Sequence, residues 1–249
     1  MIVTEVVADV LRAVSGTDMA PLTSAVIVAA GNSTRMGKKG AKQFLEVNGI
    51  PVLARTLLAF QAAPYIAEIV VVAQKSDFAA IKQMASTHSI SKLTKLVQGG
   101  ETRAESVKNG FSAIDKKAKY VAIHDGARCL ITPELIRRVL RAAYRNKAAS
   151  AATAVTDTVK LADKRHTIAQ TLDRSRIFLA QTPQVFHTDL YRAALQKADP
   201  EGCTDDNQLM EQLGVAVKLV DCGKENIKIT HPEDIHFAEL LLAVREMTQ

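Results

Sequence analysis

The chain has 249 residues, 47% hydrophobic and 23% charged, which suits one α/β domain with a full core and leaves no run near the ~20 apolar residues of a membrane span. Its 32 Lys and Arg stand against 26 Asp and Glu, a net charge of +6 without any long basic tract. Trp is absent and aromatics reach 4%, which argues against nucleic acid as partner and for a cleft that takes small polyanions.

Residues 1–23 are expected to form an N-terminal extension to a single domain over 24–249. Glu5, Asp9 and Asp18 face one basic residue, Arg12, so the segment does not resemble a signal or transit peptide. Val6, Val7, Val10, Leu11 and Val14 fall near helical spacing and predict a short accessory helix. Cys129, Cys203 and Cys222 are too widely spaced for a C-x-x-C metal pair and too few for a disulfide framework. A reducing cytoplasm is the expected setting.

Residues 25–37 read AVIVAAGNSTRMG: a buried strand that breaks into a loop of small residues, followed by Arg35 and Lys42. Ala29, Ala30, Gly31 and Ser33 allow backbone N–H groups to approach an anion closely, and the two cations supply mobile charge. A Walker A loop is excluded because Gly31 to Gly37 is one residue too long, and a G-x-G-x-x-G fingerprint because Ser33 holds the middle position. Taken alone, the loop is equally compatible with a plain glycine turn.

Beyond it, strand and helix patterns alternate: a helix over 52–62, EIVVVA, a helix over 78–86, LTKLVQGG, a helix over 103–114, then YVAIHDGA. Thr132 and Pro133 supply the cap and first turn of a further helix. This order predicts a mostly parallel sheet with helices on both faces, and a cleft where the loops after Ala30, Gln98 and Ile123 meet. Residues 151–186 break the rhythm with alternating β-branched and polar residues, predicting a projecting hairpin arm. An isolated hairpin is marginal in water, so the arm is expected to pack on a second copy as a homodimer. A helix over 190–198, a strand in VAVKLVD, and a strand, turn and helix in NIKITHPEDIHFAELLL complete the chain.

Three segments carry candidate chemistry. QGGETRAES places two glycines before a helix bearing Arg103 and Ser106, suited either to reading a base edge or to a capped turn. HDGAR ends a strand with Asp125, which suits Mg²⁺ on phosphate oxygens or an ion pair with Arg128. His124 has no second histidine at ligand spacing and reads as structural. Asp173-Arg174, Thr182-Pro183-Gln184, Thr204-Asp205-Asp206 and the stretch from Asn226 to Thr230 singly read as solvated loops or caps.

Together, AAGNSTRMG with AKQFLE, QGGETRAES, HDGAR, TDTVK, LDR, QTPQVF, TDD and NIKITHPED resemble the 2-C-methyl-D-erythritol 4-phosphate cytidylyltransferase family of the non-mevalonate isoprenoid pathway, over about residues 24–242. The resemblance implies a Rossmann-like three-layer nucleotidyltransferase fold with a dimerisation arm, CTP and a sugar-alcohol phosphate as substrates, and Mg²⁺ as cofactor. It implies that Arg35 and Lys42 stabilise charge at the α-phosphate and that Ala29, Ala30 and Gly31 hold the nucleotide. Gly100, Glu101 and Ser106 would surround the cytosine, and Asp125 would bind metal and ribose. Arg128, Thr158, Arg174, Thr182 and Lys228 would contact the sugar phosphate. Arg174 and Lys228 would aim the nucleophile, the former from the partner's arm. Ser33, Ala41 and Cys129 depart from the family pattern without removing a charge. Rival expectations are ribitol 5-phosphate as substrate, a non-catalytic nucleotide binder, and an NAD(P) oxidoreductase, the last disfavoured by Ser33 and the cations beyond it.

Overall fold

A computed structural model describes residues 20–31, 42–198 and 203–247. Arg35, Ser33, Ala41 and the expected helix over 6–14 lie outside the described residues. The first strand, β1 (Thr23–Val28), is followed by a two-residue hairpin, β2 (Glu46–Val47) and β3 (Ile50–Pro51). Then come α1 (Val52–Ala62), β4 (Ile66–Ala73), α2 (Phe78–Thr87), β5 (Leu93–Gln98), α3 (Arg103–Ala113), β6 (Tyr120–Asp125), α4 (Pro133–Asn146) and β7 (Ala148–Ala154). The remainder is β8 (Lys160–Ala162), β9 (Ile168–Thr171), β10 (Phe178–His187), α5 (Thr188–Lys197), α6 (Asp206–Gln212), β11 (Lys218–Asp221) and α7 (Glu233–Met247).

Seven strands form one sheet in the order β11-β7-β10-β6-β1-β4-β5, and β10 alone runs against its neighbours. Side chains alternate across it with the period of two that a strand imposes. Ala25 and Ile27 of β1, with Ile69 and Val71 of β4, pack beneath Leu53, Leu57 and Phe60 of α1 and Ile136 and Leu140 of α4. Val26, Val70 and Val72 point the other way, against Val107 and Phe111 of α3, Tyr191 of α5 and Met210 of α6. Burial on both faces explains the unbroken apolar runs in these strands, each large side chain contributing about 1.5–3 kcal/mol. A Cβ on Gly110 of α3 would lie 2.6 Å from Val26 Cγ1 and 2.6 Å from Val72 Cγ2, so glycine lets that helix lie against the sheet.

The structure has the expected α/β layers and a mostly parallel sheet, and it starts α1, α2 and α3 at the expected residues. Thr132 caps α4, its hydroxyl accepting the Leu135 N–H at 3.2 Å with Pro133 in the first turn. Two boundaries differ from expectation. The stretch 151–186 is not one arm: its ends belong to β7 and β10 of the main sheet, and residues 155–177 between them carry the antiparallel pair β8 and β9. Small residues such as Ala149, Ala151 and Ala152 fit a doubly covered central strand as well as a hairpin, so alternation alone did not mark the boundary.

Residues 226–230 do not form the expected strand. The Ile229 N–H instead donates to the Ala127 carbonyl at 2.8 Å, and its side chain packs with Val47, Val52, Leu130 and Ala238. That anchoring carries Lys228 to the carboxyl edge of the sheet.

Candidate active site

The sheet order reverses between β1 and β6: the chain moves outward through β4 and β5, then returns to the other side of β1. A crevice opens beyond the carboxyl ends of the strands at such a point. Here it is a cavity of about 610 Å³. Ala29, Ala30, Gly31, Lys42, Gly100, Glu101, Ser106, Asp125 and Lys228 all line it, so most of the residues singled out in the sequence come together.

One wall is the turn from β5 into α3, which is held by its own side chains. Thr102 caps the helix by accepting the Glu105 N–H at 3.1 Å, while Glu105 Oε2 accepts the Thr102 N–H at 3.3 Å, a capping box, and also accepts the Glu101 N–H at 2.7 Å. The buried hydroxyl of Ser106 accepts the Gly100 N–H at 3.1 Å. A Cβ on Gly99 would stand 2.3 Å from the Ala30 Cβ, so glycine is what lets this turn close on the loop after β1. The segment is the capped turn that its sequence allowed, and it faces the cavity.

The floor is Asp125, at the last position of β6 and 8% exposed. Lys228 Nζ lies 2.7 Å from its Oδ2, Arg103 Nε 3.5 Å from its Oδ1, and Arg128 Nε 4.0 Å from Oδ2. Burial opposes charge on this carboxylate, but Lys228, Arg103 and Arg128 outweigh it and hold its pKa well below the usual range. Arg103 is itself kept charged against burial by the carboxylates of Asp206 and Asp125. The Arg128 pKa is lowered, chiefly by burial, despite Asp125 beside it. Its Nη1 donates to the Asn226 carbonyl at 2.7 Å, tying the Lys228 segment to β6.

His124 and Thr182 lie behind this floor. Burial pushes the His124 pKa down to about 3, so the ring is neutral near pH 7. Its Nε2 lies 3.3 Å from the Arg128 carbonyl, which can only accept, so Nε2 carries the hydrogen. Nδ1 then accepts from the Thr182 hydroxyl at 3.1 Å, and that oxygen accepts the Asp125 N–H at 3.0 Å. The chain of bonds orients the backbone at Asp125, and it places Thr182 behind the carboxylate, outside the cavity lining.

Thr158 and Arg174 are exposed on the 155–177 excursion and do not line the cavity of their own chain. Arg174 Nη1 donates to the Thr156 carbonyl. Asp206, which in the sequence reads as part of a solvated loop or cap, is instead buried. It is 2% exposed and its Oδ2 accepts from Arg103 Nη1 at 2.7 Å. Two consecutive carboxylates opening a helix were the available signal: Asp205 caps α6 by accepting the Gln208 N–H, which leaves Asp206 for another partner.

The lining is rich in backbone amides and cations and poor in nucleophiles. Cys129 is buried outside it with its pKa pushed up to about 11 by burial, and the Ser106 hydroxyl is engaged. Such a site suits a reaction in which the substrate brings its own nucleophile and the protein stabilises charge. Among the described residues no three His, Cys, Asp or Glu side chains cluster for a metal, and no helix is long and apolar enough to cross a membrane.

A family model described as IspD, 2-C-methyl-D-erythritol 4-phosphate cytidylyltransferase, matches residues 23–244. Proteins of that name from Caldanaerobacter subterraneus subsp. tengcongensis and Syntrophus aciditrophicus are 46% and 41% identical over 222 and 231 residues. These alignments cover 88% of this chain and 98% of the first relative, and 92% of this chain and 99% of the second. A crystal structure of 4-diphosphocytidyl-2C-methyl-D-erythritol synthase from Anaerococcus prevotii superposes with a TM-score of 0.79 at 35% identity, covering 90% of this chain and 99% of that one. The enzyme of Thermus thermophilus gives 0.68 at 32% identity, covering 88% and 98%.

Proposed function

The chain belongs to the 2-C-methyl-D-erythritol 4-phosphate cytidylyltransferase family, and from that premise we propose how its residues divide the work. The reaction transfers the cytidylyl group of CTP to 2-C-methyl-D-erythritol 4-phosphate, giving 4-diphosphocytidyl-2-C-methyl-D-erythritol and pyrophosphate. A phosphate oxygen of the sugar alcohol attacks the α-phosphorus, the bond to the bridging oxygen breaks, and pyrophosphate carries away the charge. No protein nucleophile takes part. Positioning and charge stabilisation do the work, as in other phosphoryl chemistry.

The loop at Ala29, Ala30 and Gly31 cradles the triphosphate, with Arg35 and Lys42 stabilising charge at the α-phosphate. Gly100, Glu101 and Ser106 form the base pocket, where backbone groups of a rigid turn read the cytosine edge. Asp125 lies under the ribose and phosphates. Lys228 and Arg128, joined to it through the 226–229 segment, meet the phosphate of the acceptor. Thr182 acts from behind by fixing Asp125, and Thr158 and Arg174 approach from the excursion of a partner chain.

The observation that carries this division is the pairing of Asp125 with Lys228 at 2.7 Å on the cavity floor, a carboxylate for the nucleotide side next to a cation for the acceptor side. The donor chemistry fits Mg²⁺, which takes one or two carboxylates and completes its shell with phosphate oxygens and water. Asp125 would hold it, and the ion would supply charge neutralisation to the departing pyrophosphate.

Assembly as a homodimer is supported by the exposed apolar residues of the excursion and its roots, Leu161, Ile168, Phe178 and Leu179. A reducing cytoplasm fits three cysteines that form no disulfide, two of them buried. Pyrophosphate release with Mg²⁺ tests the function: rapid release from CTP with 2-C-methyl-D-erythritol 4-phosphate is expected. Preference for ribitol 5-phosphate, or no release with either acceptor, would overturn it.

A further inference from the structure

We propose that Asp206 is a positioning residue for cytidylyl transfer, acting through Arg103 on Asp125. The proposal rests on the cytidylyltransferase reading of the site and adds a residue remote from the substrates.

Asp206 opens α6, yet its carboxylate does not cap that helix, because Asp205 does. Its position is set by three elements. The Asp206 N–H donates to Gln184 Oε1 of β10 at 3.0 Å, and its Oδ1 accepts the hydroxyl of Tyr191 from α5. Tyr191 is fully buried and stacks on Phe186 with ring centroids 5.2 Å apart. Such rigid holding of a buried carboxylate is costly unless a charge answers it. Arg103 answers it, with Nη1 2.7 Å from Oδ2, and the other edge of the same guanidinium presents Nε 3.5 Å from Asp125 Oδ1.

The two distances decide the arrangement. Arg103 is anchored on Asp206 by a short charge-assisted bond and only approaches Asp125. Asp206 thereby keeps Arg103 in the cavity wall as a cation facing the nucleotide, and keeps it from closing on Asp125. Without the charge of Asp206, Arg103 would collapse onto Asp125 and compete with whatever that carboxylate must hold.

The test is Asp206→Asn, which preserves volume and the Gln184 contact, with Arg103→Gln and the double variant, in the full-length protein. We expect kcat/KM for CTP to fall on the order of 10- to 100-fold in Asp206→Asn. The Mg²⁺ concentration that supports half-maximal CTP binding in calorimetry should rise. The double variant should be no worse than Arg103→Gln, because both changes break one unit. Independent, multiplicative losses, or unaltered Mg²⁺ dependence, would overturn the proposal. Arg103→Lys covers the case in which Asp206→Asn does not fold: one ammonium cannot span both carboxylates, so a similar loss is expected, and wild-type kinetics would refute the idea. Tyr191→Phe, which leaves the ion pair, should lower Tm more than kcat/KM, and the reverse would also count against it. Absence of turnover by the wild-type protein would instead sink the underlying reading.

Discussion

Lys228 and Asp125 meet at 2.7 Å on the floor of the cavity, although one ends a central strand and the other lies on an irregular segment near the end of the chain. The segment is fixed from both sides, by Arg128 bonding the Asn226 carbonyl and by Ile229 bonding Ala127. In the proposed division of work, Lys228 therefore approaches the acceptor from a rigid base. Lys228→Met should lower kcat/KM for the sugar-alcohol phosphate about 100-fold, the scale of one lost transition-state contact, while CTP affinity changes by roughly threefold or less. Steady-state kinetics with calorimetry on CTP separates the two, and an equal loss on both would contradict the assignment.

Lys42 lines the same cavity, and in the proposed division of work it faces the triphosphate. Its charge matters most as the α-phosphate becomes five-coordinate, so Lys42→Ala should reduce kcat on the order of 100-fold or more with little change in CTP Kd. A normal turnover number with weakened CTP binding would show that it serves only ground-state binding.

The central strands were legible in the sequence because doubly covered strands leave unbroken apolar runs, as in Val26 to Val28 and Ile69 to Val72. Asp125 and the 98–106 turn were legible because glycines and charges at strand ends have few uses besides turns and ligands. The ends of the arm were not, since Ala148 to Ala152 fit a central strand and a hairpin equally. Asp206 was hidden for another reason: its meaning depends on Arg103 and Tyr191, which only the fold brings to it. The 226–230 segment alternates like a strand, but Ile229 spends its apolar side chain on a small cluster at the sheet edge.

Gly99 sets how closely the turn from β5 into α3 approaches the loop after β1. A methyl there would stand 2.3 Å from Ala30 Cβ and 3.1 Å from Ser106 Oγ, and neither wall can swing aside. Gly99→Ala should cost about 1–3 kcal/mol of stability, the usual range for overpacking, and weaken CTP binding. Adding Ala30→Gly removes the opposing methyl and should restore most of both. Failure of that rescue in denaturant unfolding would show that the strain lies elsewhere.

His124 gives the fold an acid-sensitive point. Burial depresses its pKa from an ordinary 6.5 to about 3, so between these values the unfolded chain binds a proton that the folded chain refuses. Stability from this group is present above pH 6.5 and declines as the pH falls toward 3, with a limiting slope of about 1.4 kcal/mol per pH unit. Asp125, held below its ordinary 3.8, adds a loss only at still more acidic pH. Urea unfolding at pH 7 and pH 5 should show a clear drop for the wild-type protein. His124→Gln should be less stable at pH 7 but flatter with pH, and equal slopes in both proteins would disprove the role of this ring.

Arg174 offers a test of assembly and catalysis together. It is exposed on the 155–177 excursion and does not line the cavity of its own chain. If the excursion reaches a partner's site, a protomer carrying Arg174→Ala keeps a whole cavity but damages its neighbour's, whereas Lys42→Ala damages its own. Each homodimer of one variant then has two impaired sites. Mixed dimers have one site with Lys42 from one chain and Arg174 from the other, and half of all dimers are mixed after random exchange. Unfolding and refolding the two variants together in equal amounts should therefore recover about a quarter of wild-type activity, the share expected for a two-fold assembly. Arg174 acting within its own chain would give no recovery above the separate variants, because every site would then lack one of the two cations.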